Sequence, residues 1–399
     1  MKHPITLSIL FAISSFVITF FLSSMFRYSI PYVIWPPQNR EFKLDSALNV
    51  QNVSVLWSNF DTNYYMGIVR FGYDRTPFSV EQYKNWAFFP LYPMLVKLGG
   101  VVIGATTHDS YLYVGLVLSN IFLAISLFLI FKLLNLLSFI FSDWLIFVFI
   151  LLSFPSSYFL HLFYTEALFL MLSLLVLYLT FIKRYFYALL FLILCSLVRF
   201  QGILLLFPFI THYLFFNGPI GIKRIFKTGI YTFLSASGIF GFFYYMHYLT
   251  GDFLAPIKIQ QSWGRGGIVY PLKSIIVYLD YSIKHGNLFK PDWVLNIILI
   301  LFSLALLVYF FVFMKDIKPE FKIPLGIYYF VYLIVSTGTS DTASIYRYFS
   351  VLFPFFLTTT HLSKRYPVFL YSLLFVFGVL HAFFLLLFVN KFSAPAYGF

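Results

Sequence analysis

The chain has 399 residues, 61% of them hydrophobic and only 10% charged, with a mean hydropathy of +0.87. Soluble domains carry about a quarter charged residues, so this composition excludes an ordinary soluble fold. It indicates an all-α polytopic membrane protein, because long apolar runs are the mark of spanning helices rather than of a barrel. A formal charge of +13 raises the question of nucleic acid, but the basic residues are dispersed among the connections between apolar runs. Lipid headgroups and membrane orientation account for that distribution better. The 55 Phe and 31 Tyr suit interfacial belts and packing between helices. The single cysteine, Cys195, permits no internal disulfide and no cysteine-based metal site.

Taken in chain order, a window of about 20 apolar residues gives about eleven spans. They cover roughly 5–26, 111–131, 139–156, 164–182, 185–201, 203–217, 228–249, 292–314, 323–339, 345–362 and 366–390. The first lacks a small-residue cleavage site after it and reads as a retained helix. Pro155 and Pro208 are expected to break helices. The whole of 1–399 reads as one integral membrane domain, with a first extracytoplasmic loop at 27–110 and a second at 250–291.

Orientation follows from the short connections. With the N-terminus inside, the inside links carry Lys2, Lys132, Lys183–Arg184, Lys223–Arg224–Lys227, Lys315, Lys318, Lys322 and Lys364–Arg365. The opposite short turns near 157–163 and 340–344 carry no basic residue, the positive-inside pattern. The basic loop at 250–291 is an exception. Within the first loop, Tyr64, Ile68 and Phe71 recur at helical spacing, which predicts an interfacial helix.

This topology gathers charged residues on one side. Asp61, Glu166, Arg199 with Gln201, Arg265 in the second loop, and Asp341 with Arg347 all fall outside. A charge at a helix centre costs about 2.5–3.5 kcal/mol on insertion scales, so such groups face a polar cavity or one another. Asp61 is either a cap at the water boundary or a general base held near a cation. Glu166 either complements a helix N-terminus or lines that cavity paired with Arg199. Arg199 and Arg347 either snorkel to water or clamp a lipid phosphate. Arg265 is a solvated loop charge or a weaker phosphate ligand. His161, His212, His247 and His361 lack partners at metal spacing and read as structural. There is no Gly-rich phosphate loop, nucleophile elbow or HExxH, which argues against a nucleotide-driven pump or a membrane zinc protease.

Three stretches together resemble a known family. They are Phe60-Asp61-Thr62-Asn63-Tyr64-Tyr65-Met66-Gly67-Ile68 through Gly72-Tyr73 and on to Phe88-Phe89-Pro90-Leu91-Tyr92-Pro93; Phe154-Pro155 with Tyr164-Thr165-Glu166-Ala167-Leu168-Phe169; and Leu197-Val198-Arg199 with Gly202. They resemble the PIG-V-type mannosyltransferases, GPI mannosyltransferase 2 and its prokaryotic relatives, within the GT-C membrane glycosyltransferases. The likeness covers the first half of the chain, and Phe60 stands where that family usually has Trp.

The resemblance implies a polyprenyl-phosphate-linked mannose donor, an extracytoplasmic acceptor hydroxyl, and inverting displacement with Asp61 as the base. It implies no cofactor and often no metal. Glu166, Arg199, Gln201, Arg265, Asp341, Arg347 and Tyr64 are the candidate substrate-binding residues. Glycan, lipid and protein hydroxyls all remain open as acceptors. Membrane lipids are expected partners, nucleic acid is not, and some relatives need a partner subunit. The location implied is the plasma membrane of a prokaryote or the endoplasmic reticulum of a eukaryote. Two other readings stand beside this one: a transporter or lipid flippase, and a non-catalytic lipid-binding subunit.

Overall fold

The structure, a computed structural model, describes residues 3–29, 56–80, 83–263, 291–338 and 344–390, with isolated positions between 273 and 284. Among the described residues it is helical and contains no strand. Among the described residues, four helices are long and apolar enough to cross a membrane on their own: α1 (Pro4–Ser29), and the helices His108–Leu136, Pro291–Phe313 and Pro367–Val389. The other expected spans are shorter or interrupted, so the eleven do not appear as eleven continuous membrane-length helices.

In chain order, α2 is Asp61–Phe71, α3 Leu91–Ile103, α4 His108–Leu136, α5 Phe141–Ser153, α6 Glu166–Phe181, α7 Tyr185–Ser196 and α8 Leu206–Phe215. They are followed by α9 (Ile222–Ser235), α10 (Ser237–Thr250), α11 (Ala255–Lys258), α12 (Pro291–Phe313), α13 (Pro319–Thr337), α14 (Ile345–Phe349), α15 (Phe353–Arg365) and α16 (Pro367–Val389). The helix α6 is the core. Its Glu166, Leu168, Phe169, Leu174 and Leu177 are buried, and it packs against α4, α7 and α8. Its 16 residues extend about 24 Å, less than the roughly 30 Å hydrocarbon thickness. Glu166, its first residue, is fully buried, so the helix begins inside the protein rather than at its surface.

Proline placement explains several interruptions. Pro155 follows the end of α5, where the chain turns through a 3₁₀ segment at Ser157–Leu160. Pro208 lies in the first turn of α8, after the 3₁₀ segment Phe200–Leu205, where a missing N–H costs nothing. The expected span at 345–362 is split into α14 and α15, with Pro354 opening the second piece. The span at 228–249 is divided at Ala236 into α9 and α10.

The first loop is knitted to the bundle. Trp57 is fully buried between Phe16 and Phe20 of α1, and its indole donates to Ser23 Oγ at 3.2 Å. The expected interfacial helix is present as α2, but its buried stripe is Thr62, Tyr65, Met66 and Val69 with Ile68. Phe71 is exposed and Tyr64 only half-buried. The Gly72-Tyr73-Asp74 turn clamps the later aromatic run. Asn85 donates to Gly72 O, Trp86 Nε1 to Asp74 O, and the Tyr73 hydroxyl to Phe88 O at 2.6 Å.

Candidate active site

Two helices begin from backbone positions that few side chains adopt. Phe60, immediately before Asp61, has φ 54°, and Ser344, at the start of α14, has φ 67°. Positive φ at non-glycine residues stores strain that surrounding contacts must hold. At Phe60 those contacts are the ring of Phe388, 5.5 Å away, and the neighbouring Asn59. Asn59 Nδ2 donates to Leu56 O and Phe388 O, and Asn59 O accepts from the Tyr164 hydroxyl at 2.9 Å. The α14 segment is fixed similarly. Asn296 accepts from Tyr346 N, Tyr346 O accepts from Ser156, Tyr348 O from Tyr332, and Arg347 O from Ser350. The result is that Asp61 and Arg347, 286 positions apart in the chain, face each other.

Four charges then form one connected network. Arg347 Nη1 donates to Asp61 Oδ2 at 2.8 Å. Its Nε and Nη2 both reach Glu166 Oε1, at 2.9 and 2.8 Å. Arg199 Nη2 donates to the same Glu166 oxygen, and Arg199 Nε to Thr165 Oγ1 at 2.7 Å. Two carboxylates and two guanidiniums balance formally, as buried charges must. Aromatic faces complete the enclosure. Arg347 lies over Phe159 at 4.6 Å and Tyr164 at 4.8 Å, and Arg199 near Phe169 and Tyr348, at cation–π distances.

Accessibility separates the two acids. The side chain of Glu166 is 0% exposed and that of Asp61 22%. Asp61 Oδ2 is held by Arg347, while Oδ1 has no hydrogen bond among the described residues. Glu166 is thus the hub that holds both guanidiniums. Asp61 is the one carboxylate of the network that an incoming molecule can touch.

The reason Arg199 points inward lies in Gly202. A Cβ there would stand 2.2 Å from Cys195 O and 2.6 Å from Ser196 N, so only glycine lets the 3₁₀ turn fold back onto the end of α7. Leu197 O in this turn accepts from Leu91 N, joining it to the Phe88-Phe89-Pro90 run.

The other candidates are placed as follows. Tyr64 is one helical turn beyond Asp61 and stacks on Phe88, with ring centroids 4.7 Å apart and planes 10° apart. Burial first, and then the Asp61 charge, raises its phenol above the ordinary range, so it remains a neutral donor. Gln201 sits on the 3₁₀ turn and makes no hydrogen bond to the four charges. Arg265 and Asp341 lie outside the described residues. Thr165 and Phe159, which the sequence reading did not single out as site residues, contact the two arginines directly. The position of Thr165 next to Glu166 was the signal available. His161, His212 and His361 pair with Asn120 at 2.8 Å and with the hydroxyls of Tyr185 and Tyr309 at 3.1 Å. Among the described residues, no three His, Cys, Asp or Glu side chains come together as a metal site.

No family model matches the chain, and no curated protein matches it significantly. Solved structures of the Archaeoglobus fulgidus oligosaccharyltransferase superpose on it. One, tethered to an acceptor peptide, is 16% identical with a TM-score of 0.46, over 97% of this chain and 55% of that one. Another, AglB with an inhibitory peptide and a dolichol-phosphate, is 13% identical with a TM-score of 0.47, over 97% and 56%. The apo form gives 15% and 0.47. The chain therefore spans about half the length of the solved proteins it matches.

Proposed function

We propose that the chain is a GT-C-like membrane glycosyltransferase, one unit over its whole length. It would move mannose from a polyprenyl-phosphate donor to an extracytoplasmic acceptor hydroxyl with inversion. The observation that carries this reading is Asp61, the accessible carboxylate of an otherwise buried four-charge network. An isolated surface Asp needs no such support. A base that must keep its orientation in an aromatic, poorly hydrated setting does.

In the proposed step, the acceptor oxygen forms its bond to the anomeric carbon as the hydroxyl proton passes to Asp61 Oδ1. The bond from the anomeric carbon to the phosphate oxygen breaks, and its electron pair leaves with the polyprenyl phosphate. Arg347 keeps Oδ2 occupied, so the proton has one destination. Neutralising the departing phosphate needs a cation. Arg199 Nη1 has no hydrogen-bond partner among the described residues, and Arg265 of the second loop is the other candidate. Tyr64, on its Phe88 stack, would offer a ring face and a hydroxyl to the sugar. Gln201, on the 3₁₀ turn beyond Arg199, is proposed for the rim of the same site, and Asp341 remains a candidate from the sequence alone. The apolar helices supply walls for an isoprenoid chain.

The test is to incubate the purified protein in lipid nanodiscs with radiolabelled polyprenyl-phosphate mannose and a panel of membrane extracts. A labelled product supports the transferase reading, and its identity names the acceptor. Movement of the labelled lipid across liposomes with no product in any extract would instead establish a flippase. Product formed only after a second protein is co-purified would assign this chain to a two-subunit enzyme.

A further inference from the structure

The turn between α8 and α9 forms a second polar feature, far from Asp61. The 3₁₀ segment Phe200–Leu205 and α8 together lead away from Arg199. At about 2.0 and 1.5 Å rise per residue they extend about 27 Å, close to one hydrocarbon thickness. With the basic connections read as inside, this turn, which carries Lys223, Arg224 and Lys227, is assigned to headgroup level. Lys183 and Arg184, just before α7, lie at the same end.

At this turn a cavity of about 270 Å³ is lined by Tyr213, Asn217, Lys223, Arg224 and Lys227, with Pro219 and Gly221. None of the lining residues is acidic. Arg224 has a structural task. Its guanidinium donates to the carbonyls of Leu214, Asn217 and Gly218, closing the end of α8. Gly218 presents its carbonyl from φ +102°, and a Cβ there would meet Arg224 Nη2 at 3.1 Å. Lys223 and Lys227 are different. They are one turn apart and exposed, and neither pairs with a carboxylate among the described residues. Beside them stands an apolar band: Ile222 is 88% exposed and Phe226 69%, with Ile225 and Phe233 also exposed.

We propose that this cavity is a binding site for an anionic phospholipid, its headgroup phosphate between Lys223 and Lys227 and its acyl chains along Ile222, Phe226 and Phe233. Charge complementarity and position select that occupant. A cationic pair at headgroup depth, continuous with exposed apolar side chains, matches both ends of one lipid molecule. A soluble anion would use the lysines and leave the apolar band unexplained. The site is independent of the chemistry assigned to Asp61.

The experiment is native mass spectrometry of the full chain released from nanodiscs containing phosphatidylglycerol or phosphatidylcholine, with inorganic phosphate as a third probe. Wild type should retain phosphatidylglycerol preferentially, and the K223Q/K227Q variant should lose that preference by roughly tenfold. K223R/K227R should restore it, which separates lost charge from a misfolded turn. Equal retention of the two lipids by wild type, or undiminished phosphatidylglycerol retention by K223Q/K227Q, would overturn the proposal. So would displacement of the lipid by millimolar phosphate, which would make this a free-anion site.

Discussion

The two ends of this molecule handle charge in opposite ways. At the Asp61 end, two acids and two arginines are folded into one another, enclosed by aromatic rings and approached through strained backbone. At the Lys223 end, cations stand exposed with no acid beside them, and the nearest comparable pair, Lys364 with Asp143 at 3.0 Å, keeps its lysine half in solvent. Exposed charge at a membrane surface costs little and orients the chain. Buried charge is expensive, and it persists where each group compensates another. The contrast is the physical reason for proposing the chemistry at Asp61: the arrangement that is costly to build presents one accessible carboxylate.

The sharpest way to break that contrast is to remove the hub. Glu166→Ala leaves Arg347 and Arg199 buried without their shared acceptor, and a loss of roughly 3–5 kcal/mol is expected. It would be read as reduced folded yield and a lower midpoint of thermal unfolding in detergent. Gly202→Ala should come next. Its new Cβ meets backbone rather than a movable side chain, and overpacking of that kind costs about 1–3 kcal/mol. Displacement of Arg199 should accompany it, measurable as lost sugar transfer in the fraction that remains folded.

The opposite end should respond less. Lys364→Met removes a half-exposed partner from Asp143, which still caps Ile140 N at 2.9 Å, and about 1 kcal/mol is expected. The smallest effect belongs to Lys258→Ala, in an exposed pair that lies against Phe78 of the first loop and not at the Lys223 end. Burial pushes the Asp252 carboxyl up, but the Lys258 ammonium and the Leu254 N–H outweigh it and hold the group below its ordinary value. A depressed carboxylate contributes stability above its unfolded pKa of about 3.9 and loses it as pH falls through the folded value. The variant should therefore match wild type less closely at neutral pH than in strong acid, with a small difference in unfolding midpoint that is lost as pH falls through the depressed Asp252 value.

The sequence carried the components of the site better than their connections. Asp61, Glu166, Arg199 and Arg347 could each be singled out because charge is rare in so apolar a chain, and the Glu166–Arg199 pairing could be anticipated from their shared side of the membrane. The link from Arg347 to Asp61 could not. It depends on α14 being a five-residue helix set by side-chain bonds from Asn296, Ser156 and Tyr332, and no periodicity encodes such bonds. Hydropathy also left the breaks within the spans unseen. It registers apolar content, which α6 and α7 have in full, but not where Pro354 restarts a helix or Ala236 divides one. The breaks matter because they bring helix ends, and the charges on them, into the interior.

The most direct measurement is turnover of labelled polyprenyl-phosphate mannose by Asp61→Asn, with its unfolding midpoint recorded in parallel. Asparagine keeps an acceptor for Arg347 but cannot take a proton, so transfer should fall by roughly 10²–10⁴-fold while the folded fraction stays near wild type. A variant that folds normally and transfers sugar at the wild-type rate would show that this carboxylate is not the base.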